Sequence, residues 1–386
     1  MVADIIAALR CGPFANDKGA NDMSSDTLPK GLEGVEVDET GISLVDGERG
    51  VLSYRGIDVD ELVDKPFDEV AALVATGRLD PDFGARLAAS AELSEREAGL
   101  VRSLPRDVHP MHVVQGLTPL LDRDGAFADF GDAAQGFAVA AKLPALIATH
   151  MLGTAVAGYP TLGHAERFLA QIAAPQTDIA RRAFNVTQIL QIEHGFNAST
   201  FAARVAASTL APVENALSAG FGTLHGRLHG GADQAALEVA EQVGTAAAAA
   251  AFVDRCIADG TRVMGMGHRE YRVLDPRARH IKELARSLAA GTPHEKTFET
   301  LAAIEDRFRE RMAEKGKALH ANVEFYKGVV YRVLGMTPAF FTTGFAMARV
   351  FGYLAHFIES REDNRLIRPK ARYTGPPVGA VRLTPA

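Results

Sequence analysis

Two histidines in this sequence lie beside glycines, where an imidazole can act on a bound ligand. His229 precedes the pair Gly230-Gly231, and His268 follows Gly267. Glycine lets the backbone approach a ligand closely, and an imidazole can donate or accept a proton near neutral pH. Either histidine alone also fits a turn residue that caps a helix. The pair therefore predicts proton-transfer chemistry only together with other residues.

Two clusters of basic residues supply a second signal. Guanidinium groups hold carboxylates and phosphates through paired hydrogen bonds. Within a chain of net charge −7, such clusters predict a small polyanionic ligand, and a solvated cationic face is the alternative. The clusters consist of Arg269, Arg272, Arg277 and Arg279, and of Arg365, Arg368, Lys370 and Arg372.

Other chemistries are not favoured by the sequence. His225 and His229 have helical spacing for a metal pair, but Gly226 stands where a zinc hydrolase needs glutamate, and no third ligand follows. Gly265-Met266-Gly267 is too short for a dinucleotide fingerprint, and no phosphate-loop sequence is present. The sequence therefore predicts neither a metal site nor the use of ATP.

The composition bounds the class of protein. The 386 residues, 47% of them hydrophobic, are enough for two or three domains. The acidic balance argues against a nucleic-acid partner, and two cysteines give no disulfide framework, which favours a cytoplasmic location. The apolar stretch 137–159 contains Lys142, Pro144 and His150, so we expect buried helices there and no membrane partner.

The elements that must position these residues are helical. Apolar residues recur at three- and four-residue spacing, which predicts helices over 57–63, 67–77, 82–93, 95–103 and 109–121. Short apolar runs flank Asp46-Gly47, which predicts a small hairpin within 41–56. Residues 1–30 are expected to form a flexible extension. We therefore predict an all-α fold with one minor β-hairpin.

Six strings of this sequence, in order, resemble the citrate synthase family from about Gly31 to Pro376. The first resembles the N-terminal signature of the family, and the other five resemble its later ones. The strings are GLEGVEVDETGISLVDGERGVLSYRGIDVDEL, EHGFNASTF, GRLHGGADQAAL, MGMGHREYRVLDPRA, NVEFY and DNRLIRPKARYTGP.

The resemblance implies a two-domain helical homodimer with its site in the cleft between the domains. The large domain would contain residues 31–222 and 329–386, and the small domain residues 223–328. The substrates would be oxaloacetate and acetyl-CoA, with coenzyme A as part of a co-substrate and no tightly bound cofactor or metal.

The resemblance also implies a role for each matching residue. His268 would polarise the ketone of oxaloacetate, and His229 would hydrogen-bond the thioester oxygen while Glu324 acts as the base. The carboxylates of oxaloacetate would be held by four residues, one of them from the partner subunit, and one further arginine would lie near the phosphates of coenzyme A. The four are His194, Arg277, Arg349 and, from the partner, Arg368, and the arginine near the phosphates is Arg272.

This sequence departs from the family at the catalytic base. Glu324 stands where aspartate is usual, which keeps the carboxylate but moves it by about one carbon–carbon bond. Neighbouring positions differ as well: Gln191, Gly195, His320, Ala321 and Lys327 replace residues that are more common in the family. Because both histidines and the arginines are intact, we expect an active enzyme.

Three functions remain open at this stage. The first is a citrate synthase, and the second is a 2-methylcitrate synthase that uses propionyl-CoA, since one methylene group discriminates by only ~1–3 kcal/mol. The third is a catalytically weak relative that binds coenzyme A or dicarboxylates and has a regulatory role. The unusual surroundings of Glu324 motivate the third.

Overall fold

The computed structural model of the protein describes residues 28–268, 270–378 and 380. The predicted flexible extension 1–30 therefore lies outside the described residues, except for 28–30. By contacts the chain divides into two units, one ending at Glu39 and the other beginning at Thr40. The described part of the first contains a short 3-10 turn, Lys30–Leu32, and the second contains the helices and strands described below.

The predicted hairpin is confirmed, and a third short strand extends it. Strand β1 (Ser43–Asp46) pairs with β2 (Val51–Tyr54) in antiparallel register, with Ser43 opposite Tyr54. Strand β3 (Ile57–Asp58) then pairs with β2. The helix predicted from residue 57 therefore begins two residues later than expected. Asp58 accepts a hydrogen bond from the Asp60 N–H and so caps the helix that follows.

The other regular elements of the described chain are helices, as predicted, together with short 3-10 turns. The helices of the first half are α1 (Val59–Leu62), α2 (Phe67–Thr76), α3 (Phe83–Ala89), α4 (Glu95–Ser103), α5 (Pro110–Leu117), α6 (Ala134–Leu152), α7 (His164–Gln171) and α8 (Asp178–Ile189). Those of the second half are α9 (Ala198–Ser208), α10 (Val213–Leu224), α11 (Ala232–Val243), α12 (Ala249–Ala258), α13 (Pro276–Ala289), α14 (Glu295–Ala313), α15 (Glu324–Val333) and α16 (Phe341–Glu362).

Several predicted helix boundaries differ from the observed ones for local reasons. The helix predicted over 67–77 ends at Thr76, because Gly77 adopts a left-handed φ of 78° and terminates it. The helix predicted over 82–93 ends at Ala89, and the one predicted over 109–121 ends at Leu117, where a 3-10 turn follows. The helix predicted over 95–103 has the predicted bounds, and Ser94 and Glu97 form a capping box at its start.

Two long helices form the centre of the core. In α6 the side chains from Gln135 to His150 are buried, and in α16 those from Phe341 to Phe357 are buried. Helix α16 packs against α2, α6, α9 and α10. A helix that is apolar on all sides belongs in the interior of a large core, so α6 and α16 fix the helices that carry the site residues.

A second group of helices lies between residues 232 and 333. Helix α15 packs against α11 and α13, and α12 packs against α14. The division of the chain at residues 222 and 328 into a large and a small domain stays a prediction.

No single helix among the described residues is long and apolar enough to cross a membrane, although the bent pair 234–243 and 246–258 passes by length and composition together.

Candidate active site

His268 and Glu324 lie on two segments that are hydrogen-bonded to each other. The Asn322 N–H donates to the Gly265 carbonyl over 3.0 Å. Gly265 has a left-handed φ of 78°, and a Cβ atom there would collide with the Phe325 side chain. Glycine is therefore required at residue 265 for the two segments to approach this closely.

The backbone fixes the tautomer of His268. The N–H groups of Glu270 and Tyr271 both donate to Nδ1 of His268, over 3.0 and 3.2 Å. A neutral imidazole that accepts at Nδ1 carries its proton on Nε2. Burial lowers the pKa of His268, and the Arg277 guanidinium lowers it further, against the opposing charges of Asp275 and Glu324. The ring is therefore neutral near pH 7 and presents Nε2–H as a donor.

Arg277 lies beside that donor and is held by Asp275. Both side chains are buried, and Asp275 accepts hydrogen bonds from Nε and Nη2 of Arg277 over 3.0 and 2.9 Å. Burial alone would raise the pKa of Asp275, but the guanidinium outweighs it and lowers that pKa. Asp275 also accepts from the Arg277 and Val323 N–H groups, which joins the start of α13 to the Glu324 segment.

Two hydrogen-bond donors thus converge beside His268. Nη2 of Arg277 lies 3.3 Å from Nε2 of His268, and in the tautomer fixed by the backbone both groups are donors. An oxygen atom of a bound ligand that lies within hydrogen-bond distance of both nitrogens would accept from both. This arrangement suits a carbonyl or carboxylate oxygen.

His194 completes this half of the site. Its Nε2 lies 3.1 Å from the Tyr271 hydroxyl oxygen, and its ring centroid lies 5.5 Å from that of His268. Burial lowers the pKa of His194 well below its usual value, and Arg277 lowers it further. The structure therefore brings His194, His268 and Arg277 together.

His229 lies on the turn between α10 and α11, where its ring contacts Ser199 of α9. Nε2 of His229 lies 2.7 Å from the Ser199 hydroxyl oxygen, which in turn lies 2.8 Å from Oδ1 of Asn197. Asn197 caps α9 by accepting from the Thr200 N–H. Burial lowers the pKa of His229 to about 4, and Arg349 contributes to the lowering, so this ring is also neutral near pH 7.

Arg349 lies at the back of the site on the central helix α16. It is buried, and its Nε donates to the Gln191 carbonyl over 2.8 Å. Its guanidinium lies 4.7 Å from the centre of the Phe345 ring, and the Phe345 ring lies 6.4 Å from that of His229. The positive charge of Arg349 lowers the pKa of both His194 and His229, which places it within electrostatic reach of both halves.

Glu324 is the first residue of α15 and is half-buried. Its negative charge opposes the lowering of the pKa of His229 and of His268, and it raises the pKa of Arg277. Glu324 therefore lies within electrostatic reach of the two predicted catalytic histidines, which come from different loops.

The last two predicted residues lie away from this cluster. Arg272 is exposed, and its N–H donates to the Gly47 carbonyl over 2.9 Å. Arg368 is also exposed, and its Nη1 donates to the Pro369 carbonyl over 3.0 Å. Neither side chain has a hydrogen bond to the described histidines.

A cavity of about 720 Å³ lies next to the site. Its wall includes the cationic Arg309 and Lys317, the acidic Asp306 and Glu310, and the apolar side chains of Ala318 and Leu319. A small adjoining pocket shares residues 318–320 and is lined by His268 and Tyr271. The cavity could accommodate an elongated ligand with both apolar and anionic parts.

Three residues of the site did not appear among those predicted from the sequence. They are Ser199 beside His229, Tyr271 beside His194, and Asp275 beside Arg277. Asp275 precedes Pro276 at the start of a helix, which is an ordinary capping signal. Its second role, pairing with Arg277, depends on burial, which the sequence does not give.

The histidines that share helical spacing do not share a site. His229 contacts Ser199, whereas the His225 ring stacks on that of His109 with centroids 4.2 Å apart. Among the described residues no three His, Cys, Asp or Glu side chains are grouped as metal ligands would be.

Comparison with known proteins places this geometry in a family. The family model described as "Citrate synthase, C-terminal domain" matches residues 31–370. Citrate synthase of Deinococcus radiodurans is 33% identical over 364 residues, covering 90% of this chain and 96% of that protein. The 2-methylcitrate synthase of Mycobacterium tuberculosis is 35% identical, covering 94% of this chain and 97% of that protein.

Solved structures agree in fold. Citrate synthase of Thermotoga maritima superposes with a TM-score of 0.83 at 32% identity, covering 93% of this chain and 98% of that one. A ternary complex of citrate synthase from Thermoplasma acidophilum with carboxymethyl coenzyme A and oxaloacetate has a TM-score of 0.83 at 28% identity, covering 94% and 99%. The neutral imidazoles, the buried arginines and the carboxylate described above thus lie in a chain that belongs to the citrate synthase family.

Proposed function

We propose that this protein condenses acetyl-CoA with oxaloacetate and hydrolyses the citryl thioester to citrate and free coenzyme A. The observation that carries the proposal is the pair of donors, Nε2–H of His268 and Nη2 of Arg277, whose nitrogen atoms lie 3.3 Å apart. A 2-oxo dicarboxylate offers both a ketone oxygen and carboxylate oxygens to such donors.

The half of the site around His268 and Arg277 suits the anionic substrate. Arg277 and Arg349 would neutralise the two carboxylates, and neutral His194 would add a further hydrogen bond. His268 would donate Nε2–H to the ketone oxygen, which makes the ketone carbon more electrophilic. Asp275 holds the Arg277 side chain in place before substrate arrives. Little conformational freedom of that side chain therefore has to be lost when substrate binds.

The acetyl thioester would be activated on the other side. Glu324 would remove a proton from the methyl group, while His229 donates a hydrogen bond to the thioester oxygen on which enolate charge develops. The new carbon–carbon bond forms between this methyl carbon and the ketone carbon, and the alkoxide takes its proton from His268. The proton that Glu324 removed returns through solvent to His268, which restores both groups. Water then cleaves the thioester and releases the thiol.

The cavity of about 720 Å³ is the proposed entry for coenzyme A. Its apolar wall suits the pantetheine arm, and Arg309 and Lys317 suit phosphates. Arg272 is proposed to assist at the phosphates, because its exposed side chain lies on the same loop as His268.

The working protein is proposed to be a homodimer in which Arg368 enters the partner's site. In support, Arg368 is exposed and belongs to the segment 363–378, which forms neither helix nor strand. The cytoplasmic location stays a prediction from the cysteine content.

A second acyl donor is also a candidate. The 35% identity to a 2-methylcitrate synthase favours propionyl-CoA as an alternative substrate. One methylene group changes transition-state binding by only ~1–3 kcal/mol, so the overall site would be the same for both donors.

Thiol release with matched acyl donors tests the proposal. We expect coenzyme A to be released only when oxaloacetate is present, with kcat/KM for acetyl-CoA about 10-fold or more above that for propionyl-CoA. Glu324→Gln should lower kcat by about 10²-fold or more and leave oxaloacetate binding intact.

Two outcomes would contradict the proposal. Preference for propionyl-CoA would assign the 2-methylcitrate reaction. Absence of thiol release from the wild type, with oxaloacetate binding measured by calorimetry, would indicate a binding protein and not an enzyme.

A further inference from the structure

The turn of the N-terminal hairpin packs against the loop that carries His268. The Gly47 carbonyl accepts a hydrogen bond from the Arg272 N–H over 2.9 Å. A Cβ atom at Gly47 would collide with the carbonyl oxygen of Glu270, and one at Gly50 would collide with the Val273 side chain. The hairpin turn and the loop 270–274 therefore touch without room for a side chain.

A single peptide group connects this contact to the imidazole. The Glu270 carbonyl and the Tyr271 N–H belong to the same planar peptide and point in opposite directions. The carbonyl oxygen faces Gly47, and the N–H donates to Nδ1 of His268 over 3.2 Å. Because the peptide is rigid, a displacement of its carbonyl oxygen tilts the N–H away from the imidazole.

Strand β1 of the same hairpin contacts the two chain neighbours of His194. The Ser43 hydroxyl accepts from the Gly195 N–H over 3.2 Å and lies 3.2 Å from Oε1 of Glu193, to which it donates. Gly195 and Glu193 are the two chain neighbours of His194. Ser43 therefore binds the Gly195 backbone on one side of His194 and the Glu193 side chain on the other.

We infer that the hairpin 43–54 is a positioning element for the reaction. Gly47 supports the loop whose Glu270 and Tyr271 N–H groups fix the tautomer of His268, and Ser43 fixes the placement of His194. The hairpin touches these residues through the backbone and one hydroxyl. The inference rests on the proposed function only for its kinetic consequences, since the tautomer of His268 is a property of the free protein.

Gly47→Ala is the sharpest test because it adds only one methyl group. The φ of Gly47 lies outside the left-handed region, so alanine is acceptable to its backbone and the change acts through the collision with Glu270. Gly125→Ala is the matched control, because a Cβ atom there meets nothing within 4 Å. We expect Gly47→Ala to lower kcat about 10- to 100-fold and Gly125→Ala to stay within about twofold of the wild type.

A double-mutant cycle separates positioning from general damage. In a His268→Gln background, Gly47→Ala should lower kcat by less than about threefold, because the imidazole that it positions is already absent. An equal factor of reduction in kcat in both backgrounds would overturn the inference. Thermal unfolding of each variant checks that the compared proteins are folded.

A nitrogen-15 NMR measurement does not depend on turnover. In the wild type the His268 signals should report an unprotonated Nδ1 and a protonated Nε2, and in Gly47→Ala they should report a mixture of tautomers. An unchanged tautomer would overturn the inference even if kcat falls. If the wild type releases no thiol, the proposed function fails while this measurement still decides the inference.

Ser43 provides a second variant in case Gly47→Ala does not fold. Ser43→Ala should raise KM for oxaloacetate about 10-fold with a smaller change in kcat, because His194 is proposed to hold a carboxylate. Ser43→Thr retains the hydroxyl and should restore most of the affinity. Equal values of KM in Ser43→Ala and the wild type would overturn the assignment for β1.

Discussion

At the residue scale, the Ser199 hydroxyl decides which nitrogen of His229 carries a proton. The hydroxyl has one hydrogen and two neighbours, Nε2 of His229 at 2.7 Å and Oδ1 of Asn197 at 2.8 Å. Oδ1 of Asn197 can only accept, so the Ser199 hydroxyl donates to it and accepts from Nε2–H of His229. In the free protein the proton of the neutral ring therefore lies on Nε2.

Replacing Ser199 should therefore lower kcat more than it raises KM. We expect Ser199→Ala to reduce kcat about 10- to 100-fold, because the ring loses both its orientation and its preferred tautomer. Ser199→Thr keeps the hydroxyl and should retain more of the activity. Steady-state kinetics with acetyl-CoA decides the point, and equal kcat for the wild type and Ser199→Ala would contradict it.

The sequence identified some of these residues better than others. His268 and Arg277 stand out because glycines and arginines crowd their strings, and the structure brings them within 3.3 Å of each other. Ser199 and Asp275 look like ordinary residues of a helix start. Ser199 contacts His229 and Asp275 contacts the Val323 N–H from distant segments, and the pairing of Asp275 with Arg277 depends on burial, so no local pattern could have revealed these contacts.

At the element scale, the site is assembled from helix ends. Arg277 lies in the first turn of α13, Glu324 begins α15, and His229 lies on the turn between α10 and α11. Helix periodicity predicted helices only between residues 57 and 121, so the helices that carry these site residues fell under the general expectation of an all-α fold. Periodicity also placed residue 57 in a helix. Ile57 instead belongs to a strand, because pairing with β2 outweighed the local helical pattern.

A cluster of imidazoles between two helix ends is expected to make the free energy of unfolding depend on pH. His109 caps α5 by accepting from the Met111 N–H, and its ring stacks on His225 at the end of α10, with His112 beside both. Burial lowers the pKa of His109 from 6.5 to about 4, and the charges that His225, His112 and His150 would carry also disfavour its protonation.

The free energy of unfolding should therefore fall as the pH drops from about 6.5 towards 4. In this range the unfolded chain binds the proton that the folded chain excludes, so acid favours unfolding, and above pH 6.5 the effect is absent. Urea unfolding at several pH values measures this slope.

His109→Asn is the matched variant, because asparagine retains a helix cap without a titrating ring. The variant should have a shallower slope than the wild type between pH 6.5 and 4. Identical slopes would remove His109 from the acid response.

At the scale of the whole molecule, the hairpin joins parts of the chain that were predicted to lie in different domains. Gly47 belongs to the predicted large domain, and Arg272 belongs to the predicted small one, yet their backbones are hydrogen-bonded. The resemblance to a family predicted both domains without this contact. The contact depends on two glycines that leave room for a neighbouring loop, and the pattern of an isolated hairpin does not specify such a neighbour.

The exposed position of Arg368 has a consequence for mixed assemblies. If each subunit lends this arginine to the other, two inactive variants can rescue each other: one carries His268→Gln and the other Arg368→Ala. Co-refolding them in equal amounts should restore about a quarter of the wild-type turnover, because about half of the pairs are mixed and each mixed pair contains one intact centre. Absence of complementation, with subunit exchange verified by mass spectrometry, would place Arg368 outside its partner's reaction centre.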